Sequence, residues 1–483
     1  MKRLLMVVAA VTLLATPNAS GSASATVDTS RLRADVRVDR IMHHLRQLQR
    51  IADRNDGTRA SGLPGYAASE EYVAALLRDQ GYIVTVQDFE FPFFRELATP
   101  TFERVSPSPR AYVPETDFFT MTYSGSGSTT AQILPVDTDA TPSETSTSGC
   151  EAADFAGFPA GAIALMQRGT CTFAQKAGNA ESAGATAAVI FNRGGGADTA
   201  IQGTLGGLGI EIPVLGASFP VGQELYDLSL SGPVTAHIET STESDIRTTS
   251  NVIAETPGGH PDKVVIAGTH LDSVPAGPGI VDNGTGIATL LEVAKQLHKS
   301  AKIDKTGPSG LVNKVRFAFW GAEENGLLGS EHYVAQLSPA ERAKITININ
   351  FDMLASSNGV YFVQDGDGAH TGGPVQPGRS AELEQVFADY FTSQGLPFVH
   401  RPYDGRSDYQ SFVDAGIGAG GLTTGSDQVK TAEQVALFGG TAGLIMHPCY
   451  HIACDRLDTV NVKFLDDLSD AAAHAILTFA QTP

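Results

Sequence analysis

Basic residues are scarce in this chain. Its 483 residues carry 33 Lys and Arg against 53 Asp and Glu, a formal charge of −20. Nucleic acids and anionic membrane surfaces reward basic patches, so the balance argues against either as a partner. It suits a protein that must stay dispersed outside the cell. Long apolar runs are lacking as well. The candidate Leu4 to Ala15 falls short of the roughly 20 residues that span a bilayer, and no later segment qualifies. With Lys2-Arg3 before it and Ala23-Ser-Ala25 after it, it reads as a secretory leader over residues 1–25. No Gly-x-Ser-x-Gly turn occurs, so a serine hydrolase would lack its nucleophile elbow. Cysteine is limited to four residues. In an oxidising compartment an even count implies two disulfides. Three connectivities are possible; the local one joins Cys150 to Cys171 and Cys449 to Cys454. The Cys150 to Cys171 spacing is too wide for a Cys-rich zinc site.

What is present is an ordinary globular composition, 42% hydrophobic and 18% charged, in a chain long enough for more than one domain. Val38, Ile41, Leu45 and Leu48 predict a helix over Val36 to Gln49. A second helix is expected over Ser69 to Gln80, stopped at Gly81, followed by a strand over Tyr82 to Phe91. From Phe93 the texture changes. Proline becomes frequent, and Thr120 to Glu243 is rich in small and polar residues. Short apolar runs at Ile163–Met166, Ala187–Phe191 and Ile212–Leu215 read as strands, with a helix over Cys171 to Ala183. This β-rich stretch holds no cluster of acids and histidines. After Ser250, strands (Asn251–Ala254, Val264–Ala267, Val315–Trp320, Ile345–Phe351) alternate with helices, the first at Gly286–His298. Such alternation predicts an α/β fold, a mixed central sheet covered by helices on both faces. The expected division is 26–95 and 246–483 for the α/β domain, with 96–245 inserted.

Ligands in such sheets sit beyond the carboxyl ends of the strands, and the chemistry-bearing residues fall there. Gly268-Thr-His-Leu-Asp-Ser-Val274 ends an apolar run on His270, with Asp272 two residues on and on the same side. His270 can bind a metal through one ring nitrogen while Asp272 accepts the other N–H. Asp282 lies in the glycine-rich turn Gly279–Gly286, and Glu324, Asp352 and His451 complete five candidate ligands. One tetrahedral catalytic zinc takes three protein ligands and a water, so five suit two zincs about 3.5–4 Å apart. Asp282 is the natural bridge, because glycines around it let the backbone approach. Glu323 and Glu324 diverge as neighbours, so one can be a ligand and the other a general base. Any one of these acids alone would read as a solvated loop residue. Five placed after strands or tight turns do not.

The motifs Thr269-His-Leu-Asp-Ser273, Asp282-Asn-Gly-Thr-Gly286, Gly321-Ala-Glu-Glu-Asn-Gly-Leu-Leu-Gly-Ser330, Asn350-Phe-Asp-Met353 and Cys449-Tyr-His-Ile-Ala-Cys454 together resemble the secreted bacterial di-zinc aminopeptidases of peptidase family twenty-eight. Residues 36–90 and 250 onward carry the resemblance. The insert, with Arg168-Gly-Thr-Cys171, is similar to a protease-associated (PA) domain. The resemblance implies a zinc-peptidase, phosphorylase/hydrolase-like fold and two Zn²⁺ per chain. Asp282 would bridge them, with His270 and Asp352 on one ion and Glu324 and His451 on the other. Glu323 would act as general base on the water shared by the ions and then protonate the leaving amine. Tyr450 would stabilise the oxyanion, its alternative being a packed loop aromatic, and Arg406 would contact substrate.

The expected substrates are peptide N-termini, because the carboxylates of Glu323 and Asp352 favour a free α-ammonium. A monomer is expected, and Mn²⁺ or Co²⁺ fits the same cage as Zn²⁺. Asp35, Asp466 and Asp470 resemble a Ca²⁺ site of some relatives, or else form an exposed acidic face. Gly421-Leu-Thr423 lacks the aromatic that some relatives carry there, so leucine preference is only a family expectation; an apolar first residue is still expected. The sequon Asn283-Gly-Thr285 lies inside the metal turn and reads as accidental. His43, His44, His298 and His474 lie in helical stretches and read as surface or packing residues. Two alternatives remain. Another di-zinc hydrolase, such as a carboxypeptidase or amidohydrolase, would need basic residues for its substrate, and only Arg406 is well placed. A PA-containing binding protein would have lost a ligand or the base, and none is lost.

Overall fold

The computed structural model describes residues 27–300 and 310–482, so the leader expected over 1–25 lies outside the described residues. Helices α1 (Ser30–Asp35), α2 (Val38–Asp53) and α3 (Pro64–Asp79) open the chain. The long strand β1 (Ile83–Ser106) leads away from them. The insert follows as β2 (Arg110–Ala111), β3 (Phe118–Thr120), β4 (Gly127–Pro135), β5 (Ile163–Gln167), α4 (Phe173–Ser182), β6 (Ala187–Phe191), β7 (Val214–Ala217) and α5 (Phe219–Ser231). Strand β8 (Thr235–Glu255) returns, and β9 (His260–His270), α6 (Thr285–Ser300), β10 (Asn313–Trp320), α7 (Leu328–Gln336), α8 (Pro339–Arg342) and β11 (Ile345–Phe351) follow. The chain finishes with β12 (Phe362–Gln364), α9 (Ser380–Gln394), β13 (Val399–Arg401), α10 (Tyr409–Asp414), β14 (Ala419–Thr423), α11 (Ala432–Phe438) and α12 (Val462–Gln481).

Strand β9 lies at the centre, parallel to β10 on one side and to β11 on the other, with β14 parallel to β11. Strand β8 is antiparallel to β10, and β12 to β14, so the sheet is mixed as expected. Alternation along β10 explains the two layers. Phe317 and Phe319 face a core with Leu45, Leu48, Ile287 and Leu291 from α2 and α6. Ala318 and Trp320 face Tyr333 of α7 and Phe412 of α10 on the other side. Helices thus cover both faces.

Helix α3 begins a turn earlier than expected, because Pro64 occupies its first position, where a missing N–H costs nothing. It stops at Gly81, whose φ of +85° suits the residue after a helix. The larger difference is β1, which runs on past Phe91 to Ser106. It has β8 along one side and only a short β2 on the other, so Pro92 and Pro100 break no central ladder. Strands β1 and β8 form a ribbon paired from Ile83 with Glu255 to Ser106 with Thr235. Residues 95 and 245, where the division was expected, lie within this ribbon: Arg95 pairs with Glu243 in register and binds its carboxylate at 2.6 Å, and Phe93 pairs with Asp245. The sheet continues through β4, β5, β6 and β7, giving the insert its own two cores. Both local disulfides are formed, Cys150–Cys171 and Cys449–Cys454. Among the described residues no helix is long and apolar enough to cross a membrane.

His44 on α2 is buried, with Nδ1 2.6 Å from the Tyr72 hydroxyl. Burial, with His43 and Lys295 adding to it, pushes the imidazole down to about 4. The folded state therefore holds it neutral, while the unfolded chain protonates it below about 6.5. Its stabilising contribution is complete above that pH and is lost as pH falls toward 4, amounting to about 3 kcal/mol. Urea unfolding followed by Trp320 fluorescence at pH 7 and pH 4.5 is expected to show a smaller acid loss for His44→Gln than for the parent. Equal losses would remove His44 as the cause.

Candidate active site

His270 closes β9, and its ring enters a cavity of about 300 Å³. Asp282, Glu323, Glu324, Asp352, Arg406, Tyr450 and His451 line the same cavity. The expected residues converge on one place, with Asp272 just behind it. The imidazole Nδ1 of His270 lies 3.2 Å from the main-chain oxygen of Asp272 and 3.7 Å from its carboxylate. That carboxylate accepts the backbone N–H groups of Glu323 (3.2 Å) and Glu324 (3.4 Å). Asp272 thus fixes the ring through its backbone, and its side chain holds the Glu323-Glu324 turn.

Asp282 sits where the glycines require. A Cβ on Gly279, at φ +58°, would stand 2.2 Å from the Asp282 carbonyl, and one on Gly286 would stand 2.3 Å from Thr269 Oγ1. Asp455 accepts the backbone N–H groups of Val281 (2.8 Å) and Asp282 (3.0 Å). Asn283 is fully buried, bonding Phe351 O, Gly286 N and Met353 N, which closes the formal sequon. Arg59 lies beneath, fully buried, donating to the carbonyls of Leu271 (2.6 Å), Pro278 (2.8 Å) and Gly279 (2.7 Å).

The donor atoms fall into two groups. His270 Nε2 lies 3.1 Å from Asp282 Oδ1 and 3.4 Å from Asp352 Oδ1. His451 Nε2 lies 3.3 Å from Asp282 Oδ2 and 2.9 Å from Glu324 Oε2. Each Asp282 oxygen therefore faces a different histidine. Glu323 Oε2 stands farther off, 3.9 Å from His270 Nε2. Ser407 holds Asp352 Oδ2 at 2.7 Å and is itself held by Asn350. His451 takes a left-handed φ of +60° in the loop closed by Cys449–Cys454, and Tyr450 stacks on its ring at 3.7 Å. Arg406 binds Asp427 at 2.9 Å and donates to the Tyr450 hydroxyl at 3.3 Å.

The electrostatics are those of an acid-rich cavity. Burial opposes charge on His451, but Glu324 and Asp282 outweigh it and lift the imidazole to about 11. His270 is lifted likewise, against burial, by Glu323 and Asp352. Burial pushes the Glu323 carboxyl well up, with Asp408, Asp352 and Glu324 adding and His270 opposing. Burial also keeps the Tyr450 phenol protonated, a hydrogen-bond donor. Asp408, missed in the sequence reading, is fully buried with neither carboxylate oxygen hydrogen-bonded, and burial raises it to about 7.

The donor set fits divalent zinc. Glu324 Oε1 and Asp352 Oδ1 are buried without hydrogen-bond partners, and two imidazoles with several carboxylates form a nitrogen–oxygen cage. Among the described residues, no such group includes Asp35, Asp466 or Asp470. Burial raises Asp470 to about 6, with Arg33 opposing.

A mixed α/β sheet with imidazole–carboxylate groups at the carboxyl ends of its strands is the architecture of the zinc-peptidase class. The profile of peptidase family M28 matches residues 251–476, and that of the PA domain matches 130–225. The chain is 43% identical to an aminopeptidase of Pseudomonas aeruginosa (strain UCBPP-PA14) over 441 residues, 90% of this chain and 79% of that protein. It belongs to peptidase family M28 and carries a PA domain. Among solved structures, the aminopeptidase from Aneurinibacillus sp. strain AM-1 superposes with a TM-score of 0.71 at 26% identity, covering 94% of this chain and 97% of that one. BSAP, a zinc aminopeptidase from Bacillus subtilis, gives 0.59 at 25% identity, covering 90% and 94%.

Proposed function

We propose that this chain is a secreted di-zinc aminopeptidase that removes apolar residues from peptide N-termini and acts as a monomer. The observation that carries the reading is Asp282, whose two oxygens face the two histidine groups at 3.1 and 3.3 Å. His270 and Asp352 would hold one ion and Glu324 and His451 the other, with Asp282 common to both. When bound, the ions would acidify the attacking water and polarise the scissile carbonyl. Glu323, standing off from both histidines, takes the proton of that water and passes it to the leaving amine. The Tyr450 hydroxyl donates to the carbonyl oxygen as negative charge gathers there.

Substrate selection follows from the same walls. The carboxylates of Glu323 and Asp352 attract a free α-ammonium, whereas an internal peptide offers a neutral amide. Leu327, Met353 and Leu422 give the cavity an apolar side for the first side chain, and Thr423 stands beside them. A carboxypeptidase would need a free cation for the terminal carboxylate, and Arg406 is already paired with Asp427. Two disulfides support an oxidising, extracellular setting. The division of the chain is read as a peptidase domain (26–95 and 246–483) with a PA domain (96–245) carried on the β1–β8 ribbon.

Paired model peptides, one with a free N-terminus and one N-acetylated, test the reading. Only the free peptide is expected to be cleaved; chelation abolishes cleavage and zinc restores it. Equal cleavage of the acetylated peptide would point to another hydrolase on this scaffold.

A further inference from the structure

The ring and the hydroxyl of Tyr450 are held by different parts of the chain. Stacking on His451, with centroids 3.7 Å apart and 22° between the planes, sets the plane of the ring. The backbone N–H of Tyr450 donates to His447 O at 2.9 Å. Among the described residues the hydroxyl has one hydrogen-bond partner, Arg406, whose Nη2 donates to it at 3.3 Å. The other terminal nitrogen of that guanidinium, Nη1, binds Asp427 Oδ1 at 2.9 Å. Asp427 Oδ1 also accepts from Ser426 Oγ (3.2 Å) and Gln428 Nε2 (2.9 Å), so the carboxylate is itself fixed.

We infer that Asp427 is a positioning residue for the oxyanion donor, acting through Arg406 on Tyr450. The direction of each bond favours this role. Arg406 carries donors only, so it meets a lone pair of the Tyr450 oxygen and leaves the phenolic O–H free. A carboxylate in its place would take that proton, and the hydroxyl would have nothing to give the substrate. The guanidinium is planar and forked, so fixing one terminal nitrogen on Asp427 also directs the other. It further keeps a permanent positive charge one hydrogen bond from the hydroxyl that faces the developing oxyanion.

The backbone brings Arg406 to this place. It follows Gly405, at φ +75°, in a turn whose Asp404 and Gly405 N–H groups donate to the Tyr409 hydroxyl at 3.1 and 3.0 Å. Arg406 N donates to Asp404 Oδ1 at 3.3 Å. The turn thus fixes the stem of the arginine, and Asp427 fixes its head. That head is 45% exposed, so Asp427 competes with water for it. A pair this exposed holds a geometry by a factor of about five at most, which sets the size of the effect. The α-ammonium of the substrate is held elsewhere, by Glu323 and Asp352. Loss of Asp427 therefore falls on kcat and spares KM.

This role for Asp427 rests on Tyr450 being the oxyanion donor of an aminopeptidase, and the two are tested separately. Values of kcat and KM for a leucine anilide are measured on the full-length, zinc-loaded protein. The variants are Asp427→Asn, Arg406→Met, Tyr450→Phe, and Asp427→Asn combined with Tyr450→Phe. Asp427 and Arg406 are half-exposed, so their variants fold. Tyr450→Phe is expected to lower kcat about 100-fold. Asp427→Asn is expected to lower it about fivefold with KM unchanged, and Arg406→Met at least as much. In the Tyr450→Phe background Asp427→Asn is expected to change nothing further, because the group it acts through is gone. The same loss in both backgrounds, a loss confined to KM, or a full kcat in Asp427→Asn would overturn the role of Asp427 and leave that of Tyr450 standing. A near-normal kcat in Tyr450→Phe would overturn both.

Discussion

Glu323→Gln is expected to lower kcat about 1,000-fold while leaving bound zinc unchanged. The magnitude is that of removing a positioned general base, typically 100- to 10,000-fold. Glutamine keeps the shape of the side chain but cannot take a proton from water. The zinc count is the decisive companion measurement, because Glu323 also lies within ligand range of His270 and Asp352. Two distances argue that it is the base and its neighbour the ligand. Glu324 Oε2 is 2.9 Å from His451 Nε2, while the nearest His270 contact of Glu323 Oε2 is 3.9 Å. If Glu323 were a ligand, Glu323→Gln would lose an ion and added zinc would restore activity in part. A normal metal content with near-normal kcat would remove Glu323 from the proton transfer. Glu324→Gln is the contrasting variant, expected to lose metal and activity together.

The roles proposed for these residues could be read from sequence because each follows a strand or a tight turn, and chain order then puts them at one edge. His270 at the end of β9 and Asp352 just after β11 are neighbours because those strands are parallel partners. Alternating apolar residues made the strands visible, and the sheet did the rest. The supports were not legible for a related reason. Asp455 holds Asp282 N across 173 positions, and Ser407 reaches Asp352 across 55. Nothing local marks such a residue. Asp455 had at least a position beside Cys454 to suggest it, whereas Arg59 follows a helix in a polar turn and looks like a surface residue. The ribbon was hidden by its prolines. Pro92 and Pro100 argue against a central strand, and only an edge position makes them acceptable.

Arg59 is where the second large effect is expected. Arg59→Met is expected to destabilise the peptidase domain by about 3–5 kcal/mol, the range for breaking a buried, hydrogen-bonded charge. The guanidinium donates to three carbonyls flanking the turn that carries Asp282, at 2.6 to 2.8 Å. Methionine fills much of the same volume and leaves the Leu271 and Pro278 carbonyls unpaired, each at about 1–3 kcal/mol if no water reaches it, while Gly279 O keeps the Gly284 N–H at 3.0 Å. Charge adds to this. Burial pulls the Arg59 pKa down to about 10, and Asp272, Asp455, Asp282 and Glu324 oppose that pull, so the cation sits beneath four acids. Urea unfolding of metal-free parent and variant, followed by fluorescence of the single tryptophan, Trp320, isolates the network from any loss of zinc. Trp320 ends β10 in the catalytic sheet, and its signal reports that domain rather than the insert. A midpoint shift worth less than 1 kcal/mol at constant slope would show that water replaces the guanidinium without loss. Arg59→Lys separates charge from geometry. It keeps the cation but lacks the planar fork that reaches three carbonyls at once, so it is expected to recover less than half of the loss.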